Sequence, residues 1–430
     1  MKKILLSAAL FAACCAVKAQ TFKYVPYGEN VFMTGATISN NGKYVGGCDT
    51  QGRAFIYNTE TGETKYYVSE RLGDEEQGEG ADADIRAISN DGVGFGYFEE
   101  QAATFDFATG KATPVSDDMA VGQFISADGN FACGYTYDNT YARKPFYMAD
   151  GKINYLPQPT DEWLGYESNG FSISKATNDG SIILGSVMDN YATFPMVIWV
   201  RNRDNSSYSV IPVNKRFYDA SFELDGPQPY DYFEGASISA NGKYVAVNVH
   251  PKGDFDSGMT VVRYDVQNDS LTYIDCPEAS GDLWYYANGI SNDGTIVGYI
   301  EDQVSYARTG FICKAGETEA QSLAEAFPTL KEIADMDDNE FNSPSDITPD
   351  GRYIEGFGYV EWKEGELGYA TYYIDTKSGE TGVESVANNE NAQKVVASYS
   401  ADGKKLNRIS GHRGLVINKL ANGKAVKTVK

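Results

Sequence analysis

The sequence predicts an all-β fold: a seven-bladed β-propeller followed by a small C-terminal β-domain. Three observations support this prediction. A turn motif recurs about every fifty residues, strand-forming residues flank each copy, and the composition changes near residue 383. Because the copies are unevenly spaced, six or eight blades would also fit the pattern.

The N-terminus has the features of a secretory signal. Met1-Lys2-Lys3 is basic, residues 4–17 are apolar, and small residues precede Gln20. The apolar run is shorter than the ~20 residues that a membrane-spanning helix needs. We therefore predict a signal peptide over 1–19, no transmembrane helix in the mature chain, and a secreted or outer-membrane surface location. Lipid attachment at Cys14 or Cys15 is a weaker alternative.

The recurring motif is a small apolar stretch, Ser or Thr, one residue, then Asp-Gly or Asn-Gly, followed by a strand. Asp-Gly and Asn-Gly favour the positive φ of tight hairpins, and the flanks are rich in β-branched and aromatic residues. The copies occupy residues 36–47, 86–97, 123–135, 174–186, 236–247, 288–299 and 345–357.

A second hairpin follows most copies, which gives four strands per repeat. Four-stranded units cannot bury both faces alone, but seven of them arranged radially can, as in a β-propeller. We expect Tyr97, Tyr135 and Tyr299 to pack between blades, and we interpret the helix-forming stretch 322–335 as an insertion on a loop. The second hairpins are predicted at 53–67, 103–115, 144–156, 261–274 and 370–382.

The repeat resembles the extracellular HAF-type repeat, in which a strand pair ending in Val-Gly-Tyr precedes an aromatic strand. Residues 287–313 are the copy most similar to that pattern. Residues 346–356 resemble the turn of TolB-type and WD-type propellers. These resemblances imply an extracellular propeller over 20–382 and indicate no ligand.

The tail differs from the repeats in charge. Residues 383–430 contain nine Lys/Arg and three acids, whereas the whole chain has 36 Lys+Arg against 60 Asp+Glu. We expect a linker at 383–394. Residues 395–430 resemble the C-terminal sorting domain of the type IX secretion pathway in Bacteroidota, through SYSADGKKL, RGLVINKL and a basic last strand. That resemblance implies the type IX machinery as a partner; an eighth blade built on Gly403 is the alternative.

The composition restricts the chemistry. A formal charge of −24 argues against nucleic acid as a partner. The chain has two histidines, and His250 has no GxSxG partner, so a Ser-His-Asp triad is not expected. Widely spaced cysteines indicate buried apolar residues rather than zinc ligands, although disulfides remain possible in an exported chain; they are Cys48, Cys133, Cys276 and Cys313.

The loops that enter the innermost strands of a propeller surround the mouth of its channel, and here they are aromatic and acidic. Aromatic rings stack on the C–H faces of sugars and carboxylates accept sugar hydroxyls, so these loops are candidates for glycan binding. Packing between blades is the alternative role of the rings. The candidates are Trp163, Tyr166, Glu167, Tyr230, Tyr232, Glu234, Asp282, Trp284, Tyr285 and Tyr286.

No cofactor is expected, and one calcium loop is a weak candidate. Asp335, Asp337, Asn339 and Asp346 follow part of the spacing of a calcium loop, but Glu340 stands where such a loop needs Gly.

Three functions fit these features. The first is a surface or secreted propeller that binds a glycan or a protein. The second is a propeller enzyme acting on glycans, a hydrolase or a lyase, which requires convergent carboxylates. The third is a structural spacer without a ligand, which requires a channel mouth filled by packed side chains.

Overall fold

The structure is a computed structural model of the 430-residue chain. It describes residues 20–27, 33–69, 83–149, 151–159, 170–188, 196–203, 207–211, 230–251, 258–276, 282–377, 395–400, 405–406, 415–420 and 425–429, with the side chains of 33–36, 211, 230–233, 251 and most of the tail left out. The predicted signal peptide and linker lie outside these residues. The described chain forms two compact units, Gln20–Thr376 and a C-terminal unit.

The unit Gln20–Thr376 is a β-propeller of seven four-stranded antiparallel blades, as predicted. Blades 1 to 3 comprise β2 to β13: Met33–Ile38, Tyr44–Asp49, Ala54–Asn58 and Thr64–Tyr67; Ala83–Ile88, Val93–Phe98, Gln101–Asp106 and Lys111–Pro114; Ala120–Ile125, Ala132–Tyr137, Arg143–Ala149 and Lys152–Tyr155. Blades 4 to 6 comprise β14 to β25: Phe171–Ala176, Ile182–Val187, Met196–Arg201 and Tyr208–Ile211; Tyr230–Ile238, Tyr244–Pro251, Thr260–Asp265 and Ser270–Tyr273; Leu283–Ile290, Ile296–Asp302, Arg308–Cys313 and Gln321–Ser322. Blade 7 comprises β26 (Asn342–Ile347), β27 (Tyr353–Lys363), β28 (Glu366–Asp375) and the N-terminal β1 (Thr21–Tyr24).

Each copy of the recurring motif forms the turn between the first and second strands of a blade. In blade 1 the Ser39 hydroxyl accepts the backbone N–H of Tyr44 at 2.9 Å, and Gly42 has a φ of 72°. The Ser or Thr hydroxyl accepts an N–H in the same way in all seven turns. The motif therefore combines a side chain that closes the turn with a glycine that permits it.

The N-terminal strand closes the ring. Blade 7 has the strand order β1-β28-β27-β26, so β1 supplies its outermost strand. The next strand, β2, packs against β26, β27 and β28. The first and last repeats therefore meet, which excludes six or eight blades. The predicted hairpin at 370–382 is wrong in its second strand, because β28 pairs with β1 instead.

The hydrophobic core lies between neighbouring blades. Between blades 1 and 2, for example, Ile56 and Tyr67 pack with Ile85 and Phe105. Burying both faces of every sheet in this way is what makes the closed ring stable. Three of the four cysteines are buried here, Cys48 is half-buried, and all four are free thiols: Cys48, Cys133, Cys276 and Cys313.

Two short helices cover the core of blades 6 and 7, where an insertion was predicted. Helix α1 (Leu323–Ala326) begins at Ser322, which forms a capping box with Glu325, and α2 spans Lys331–Asp338. Apolar residues of both helices and of the connection between them, such as Leu323 and Ile333, are buried against blade 7. The insertion is therefore part of the core rather than a surface loop.

The C-terminal unit contains a separate four-stranded sheet. Its strands are β29 (Val395–Ser400), β30 (Lys405–Leu406), β31 (Leu415–Leu420) and β32 (Ala425–Val429). They pair in the order β30-β29-β31-β32, whereas blade strands pair in a simple meander. The eighth-blade alternative is therefore wrong. In the part of the chain that the structure describes, no helix is long and apolar enough to cross a membrane.

Candidate functional site

A β-bulge interrupts the first strand of every blade. In each of the seven innermost strands the pairing register with the second strand shifts across one residue. That residue stands three positions before the Ser or Thr of the turn. Because a bulge redirects the side chain of the extra residue, seven equivalent positions face away from the regular pleat. They are Ala36, Arg86, Gln123, Ser174, Ala236, Asn288 and Ser345.

Six of the seven bulge residues line a cavity of about 1160 Å³ in the channel, and the side chain of Ala36 is not described. In five blades the residue two positions before the bulge residue also lines the cavity. These residues form a second tier of the wall: Asp84, Val121, Ser172, Glu234 and Tyr286. Tyrosines on the second strands also line the cavity: Tyr97, Tyr135, Tyr137 and Tyr299. The cavity thus lies on the side of the channel away from the seven turns.

The channel is constricted at the turns. Backbone N–H groups of Asn90, Asn178 and Asn292 donate to carbonyls of the next blade's turn. The Asn40 side chain of blade 1 donates to Asn178 of blade 4 across the ring, with 3.2 Å between Nδ2 and Oδ1. Because turns from opposite sides of the ring meet at hydrogen-bond distance, the cavity has a narrowed floor.

Arg86 is held on the cavity wall by its neighbours. Its Nε is 3.2 Å from Asp84 Oδ2, and its Nη1 donates to Gln123 Oε1 at 2.9 Å. Gln123 in turn donates to the carbonyl of Ile173 in blade 4 at 3.0 Å. Burial opposes the charge on Arg86, but the effects of Asp84 and Tyr135 outweigh that of burial and raise the pKa of the guanidinium. This cation is therefore fixed in place and permanently charged.

A second cation, Arg143, stacks on tyrosine rings. Its guanidinium carbon is 4.8 Å from the ring centre of Tyr135 and 6.0 Å from that of Tyr137. Among the described residues no carboxylate forms an ion pair with Arg143. Burial raises the pKa of Tyr135, and the positive charges of Arg86 and Arg143 oppose that increase. The blade 2 and 3 side of the cavity is therefore basic within an acidic protein.

Blades 4 and 7 are joined by an ion pair across the channel. Lys175 Nζ lies 2.7 Å from Asp346 Oδ1, and each residue directly follows a bulge residue. Beside this pair, Asn288 donates to the carbonyl of Pro344 at 2.7 Å. These contacts connect blades at the level of the bulge residues, so polar groups of the wall itself hold it together.

Of the predicted site residues, Glu234 and Tyr286 line the cavity. Trp284 is half-buried, with its ring 5.4 Å from that of His250 and 6.3 Å from that of Tyr286. Asp282 is exposed just before β22. The structure therefore brings three predicted residues, Glu234, Trp284 and Tyr286, to the channel side of blades 5 and 6.

Tyr285 does not line the described cavity. Tyr285 is 3% exposed and packs on Phe311, because side chains alternate along a strand and its neighbours occupy the opposite face. Tyr285 is thus a core residue, and its assignment to a ligand site is corrected. Trp163, Tyr166 and Glu167 lie outside the described residues, and the side chains of Tyr230 and Tyr232 in β18 are not described.

The four calcium candidates do not form a loop. Asp335 and Asp337 belong to helix α2, and Asp346 is paired with Lys175. Burial raises the pKa of Asp337 to about 6, and the hydrogen bond from Asn342 opposes this effect. Within the described ranges no three His, Cys, Asp or Glu side chains cluster to hold a metal ion. The helix therefore replaces the extended loop that calcium would need.

Sequence reasoning missed the basic side of the cavity. Arg86 and Gln123 stand at the first position of their motif copies, and Tyr135 and Tyr299 were expected between blades. The seven bulge positions share no residue type, so the strand register of the structure was needed to identify them.

No protein-family model and no curated protein matches the chain. Among solved structures, an oligogalacturonate lyase from Vibrio parahaemolyticus covers 83% of this chain and 97% of its own, with 12% identity and a TM-score of 0.50. An oligogalacturonate lyase in complex with manganese covers 83% of this chain and 96% of its own, with 12% identity and a TM-score of 0.50. TolB from Acinetobacter baumannii covers 74% of this chain and 70% of its own, with 14% identity and a TM-score of 0.35. The similarity to the two lyase structures shows the fold alone, which in this chain is a seven-bladed β-propeller.

Proposed function

We propose that this chain is an exported β-propeller that binds a glycan in the channel cavity. The observation that carries the proposal is the two-tiered wall, in which bulges direct polar side chains from successive blades into one cavity. At about 1160 Å³ the cavity is large enough for an oligosaccharide, since small-molecule sites measure roughly 300–1,000 Å³.

The chemistry of the wall suits an acidic sugar. Tyr286 offers a ring for C–H faces, backed by the stacked ring of Tyr299, while Gln123 and Asn288 offer amides for hydroxyls. Arg143 can form two parallel hydrogen bonds with a carboxylate. Oligogalacturonate, named for the lyase neighbours, is an acidic sugar oligomer and therefore belongs in the first set of ligands to be tested.

The test is a glycan array probed with residues 20–430, followed by calorimetric titration of the best acidic ligand. We expect Arg143→Ala to weaken binding about 5- to 150-fold, because a charge-assisted hydrogen bond contributes roughly 1–3 kcal/mol. Lys152→Ala is the matched control, since Lys152 is an exposed cation on the outer strand of the same blade.

Two results would contradict the proposal. One is the absence of binding to every glycan, which would favour a protein ligand or a spacer. The other is equal binding by wild type and Arg143→Ala, which would place the ligand elsewhere. The open cavity supports the binding proposal over the spacer, which requires a filled channel mouth.

An enzyme acting on glycans is the alternative, and Asp84 and Glu234 on the wall are the observation in its favour. One neighbour was solved with manganese, but the described residues offer no metal cluster, so we derive no step through a metal. Incubation with oligogalacturonate tests this alternative. Shortened products that disappear in both Asp84→Asn and Glu234→Gln would indicate catalysis, and an unchanged oligomer would indicate binding only.

We also propose that HAF-type repeats form the propeller, that residues 1–19 direct export, and that residues 395–430 act as a type IX sorting signal to the cell surface. The separate basic sheet of the tail supports a role distinct from the blades. Deleting 395–430 in a host with this pathway should leave the propeller in the periplasm. Unchanged surface display of the deletion variant would contradict the sorting role.

A further inference from the structure

A second cavity, of about 510 Å³, lies between blades 6 and 7. Its wall on blade 7 is the long β27–β28 hairpin, where Tyr359 and Tyr369 pair across the strands with 3.1 Å between their hydroxyls. The ring of Phe341 lies 4.5 Å from that of Tyr359. Tyr306 and Arg308 form the opposite wall. We name this cavity the blade 6–7 groove.

The blade 6 wall of the groove repeats a construction that lines the channel cavity. In blade 3, Asp138 accepts the N–H of Tyr141, and Arg143 stacks on Tyr135. In blade 6, Asp302 accepts the N–H of Tyr306 at 2.7 Å, and Arg308 stacks on Tyr299 at 4.5 Å. Both copies read Tyr-Ala-Arg in the sequence. The turn of blade 6 is one residue longer than that of blade 3, but each turn places one tyrosine and one arginine at the edge of its cavity.

The backbone at the two tyrosines indicates that their side chains serve a purpose other than stability. Tyr141 and Tyr306 have φ values of 63° and 61°, in the left-handed region that disfavours side chains. The corresponding turn of blade 1 has Gly52 there, with a φ of 76°. The two tyrosines are also 75% and 69% exposed, so burial does not explain them. Strain at exposed residues is typical of ligand sites.

The two copies differ in charge. Arg308 pairs across the strands with Glu301, whose Oε2 lies 2.7 Å from the guanidinium Nε. Tyr137 occupies the equivalent position opposite Arg143. Glu340 adds a further carboxylate to the groove. The groove therefore has aromatic rings and hydroxyls like the channel cavity, but its cation is already neutralised and an anionic ligand would be repelled.

From this geometry we infer that the blade 6–7 groove is a second ligand site, which binds an uncharged sugar unit against Tyr306, Tyr359 and Tyr369. Only the ligand class rests on the proposed function; the site itself uses residues that the channel cavity does not. A glycan carrying both neutral and acidic units would meet complementary sites in the groove and the channel.

The test is calorimetric titration of residues 20–430 with three neutral hexasaccharides, of β-1,4-linked glucose, xylose and mannose. We expect at least one to bind, and Tyr306→Gly and Tyr369→Ala to weaken it at least tenfold. Tyr141→Gly, the matched change at the channel cavity, should leave that affinity unchanged. Tyr306→Gly should also keep or raise the melting temperature, because glycine relieves the left-handed backbone.

The inference is overturned if none of the three hexasaccharides binds, or if binding survives both groove variants. It is also overturned if Tyr141→Gly, rather than Tyr306→Gly, abolishes binding of the neutral sugar. If Arg143→Ala loses binding of the acidic glycan and Tyr306→Gly retains it, the result bears on the channel proposal alone. Failure of one site is therefore distinguishable from failure of the other.

Discussion

Glu355 is a buried acid in β27. Its side chain is fully buried, and neither carboxyl oxygen has a hydrogen-bond partner among the described atoms. Burial raises the pKa of Glu355 well above its usual value, and the nearby charge of Asp346 adds to the effect. The folded protein therefore keeps Glu355 protonated at a pH where the unfolded chain would ionise it. Such a group costs stability as the pH increases.

Glu355→Gln tests this effect. The folded state binds the proton of Glu355 more tightly than the unfolded state does. The contribution of Glu355 to the free energy of unfolding is therefore at its full value below the unfolded pKa, and it decreases as the pH rises towards the folded pKa. We expect the free energy of unfolding of the wild type to decrease relative to that of Glu355→Gln as the pH rises above the unfolded pKa, by at most about 1.4 kcal/mol per pH unit. Asp337 is present in both proteins, so its titration cancels in this comparison. Parallel pH profiles from urea denaturation would contradict the assignment.

Turns and bulges differ in how far local sequence determines them. The seven turns could be predicted because Ser or Thr, Asx and Gly each meet a local requirement of the hairpin. The bulges could not, since a register shift depends on how two strands pair and leaves no fixed residue type at positions such as Arg86, Ala236 and Asn288. Six residues of the candidate site lie on those bulges, Arg86 among them, which is why this part of the basic side was missed.

The turn of blade 1 also contributes to the seam with blade 7. A Cβ on Gly42 would overlap the ring of Tyr353, whereas one on Gly351 meets no described atom within 4 Å. Both glycines have positive φ, of 72° and 69°. We expect Gly351→Ala to lower the free energy of unfolding by about 1–2 kcal/mol from backbone strain alone. Gly42→Ala should cost about 1–3 kcal/mol more, because Tyr353 must move.

Chemical denaturation of the two alanine variants measures this difference. Equal losses of stability would mean that Tyr353 moves without cost, and that packing at this turn does not hold blades 7 and 1 together.

At the scale of the whole molecule, the ring depends on a short strand. The four residues of β1 pair with β28, some 350 positions away, in the register Thr21↔Asp375. Four residues carry too little pattern to reveal so distant a partner, whereas each repeat carries its own local turn motif. The fold class was therefore predictable and the closure was not.

Deleting residues 20–27 should open the ring, because blade 7 would lose its outer strand and Phe22 would no longer stack on Tyr372. We expect the melting temperature to fall by at least 10 °C, because the edge of β28 that pairs with β1 would become exposed and the core beneath it would lose its cover. A variant that ends at residue 382 is the control, and it should melt like the full chain. A melting temperature that β1 deletion leaves unchanged would mean that the ring closes through other contacts.

The central claim is that side chains on the bulges and second strands make the channel cavity a glycan site. The most direct test is a crystal structure of residues 20–430 with the glycan that binds best on the array. We predict sugar density in the cavity, with an acidic group within hydrogen-bond distance of Arg143 and a ring against Tyr286. An empty cavity with the glycan bound on the outer strands would contradict the claim.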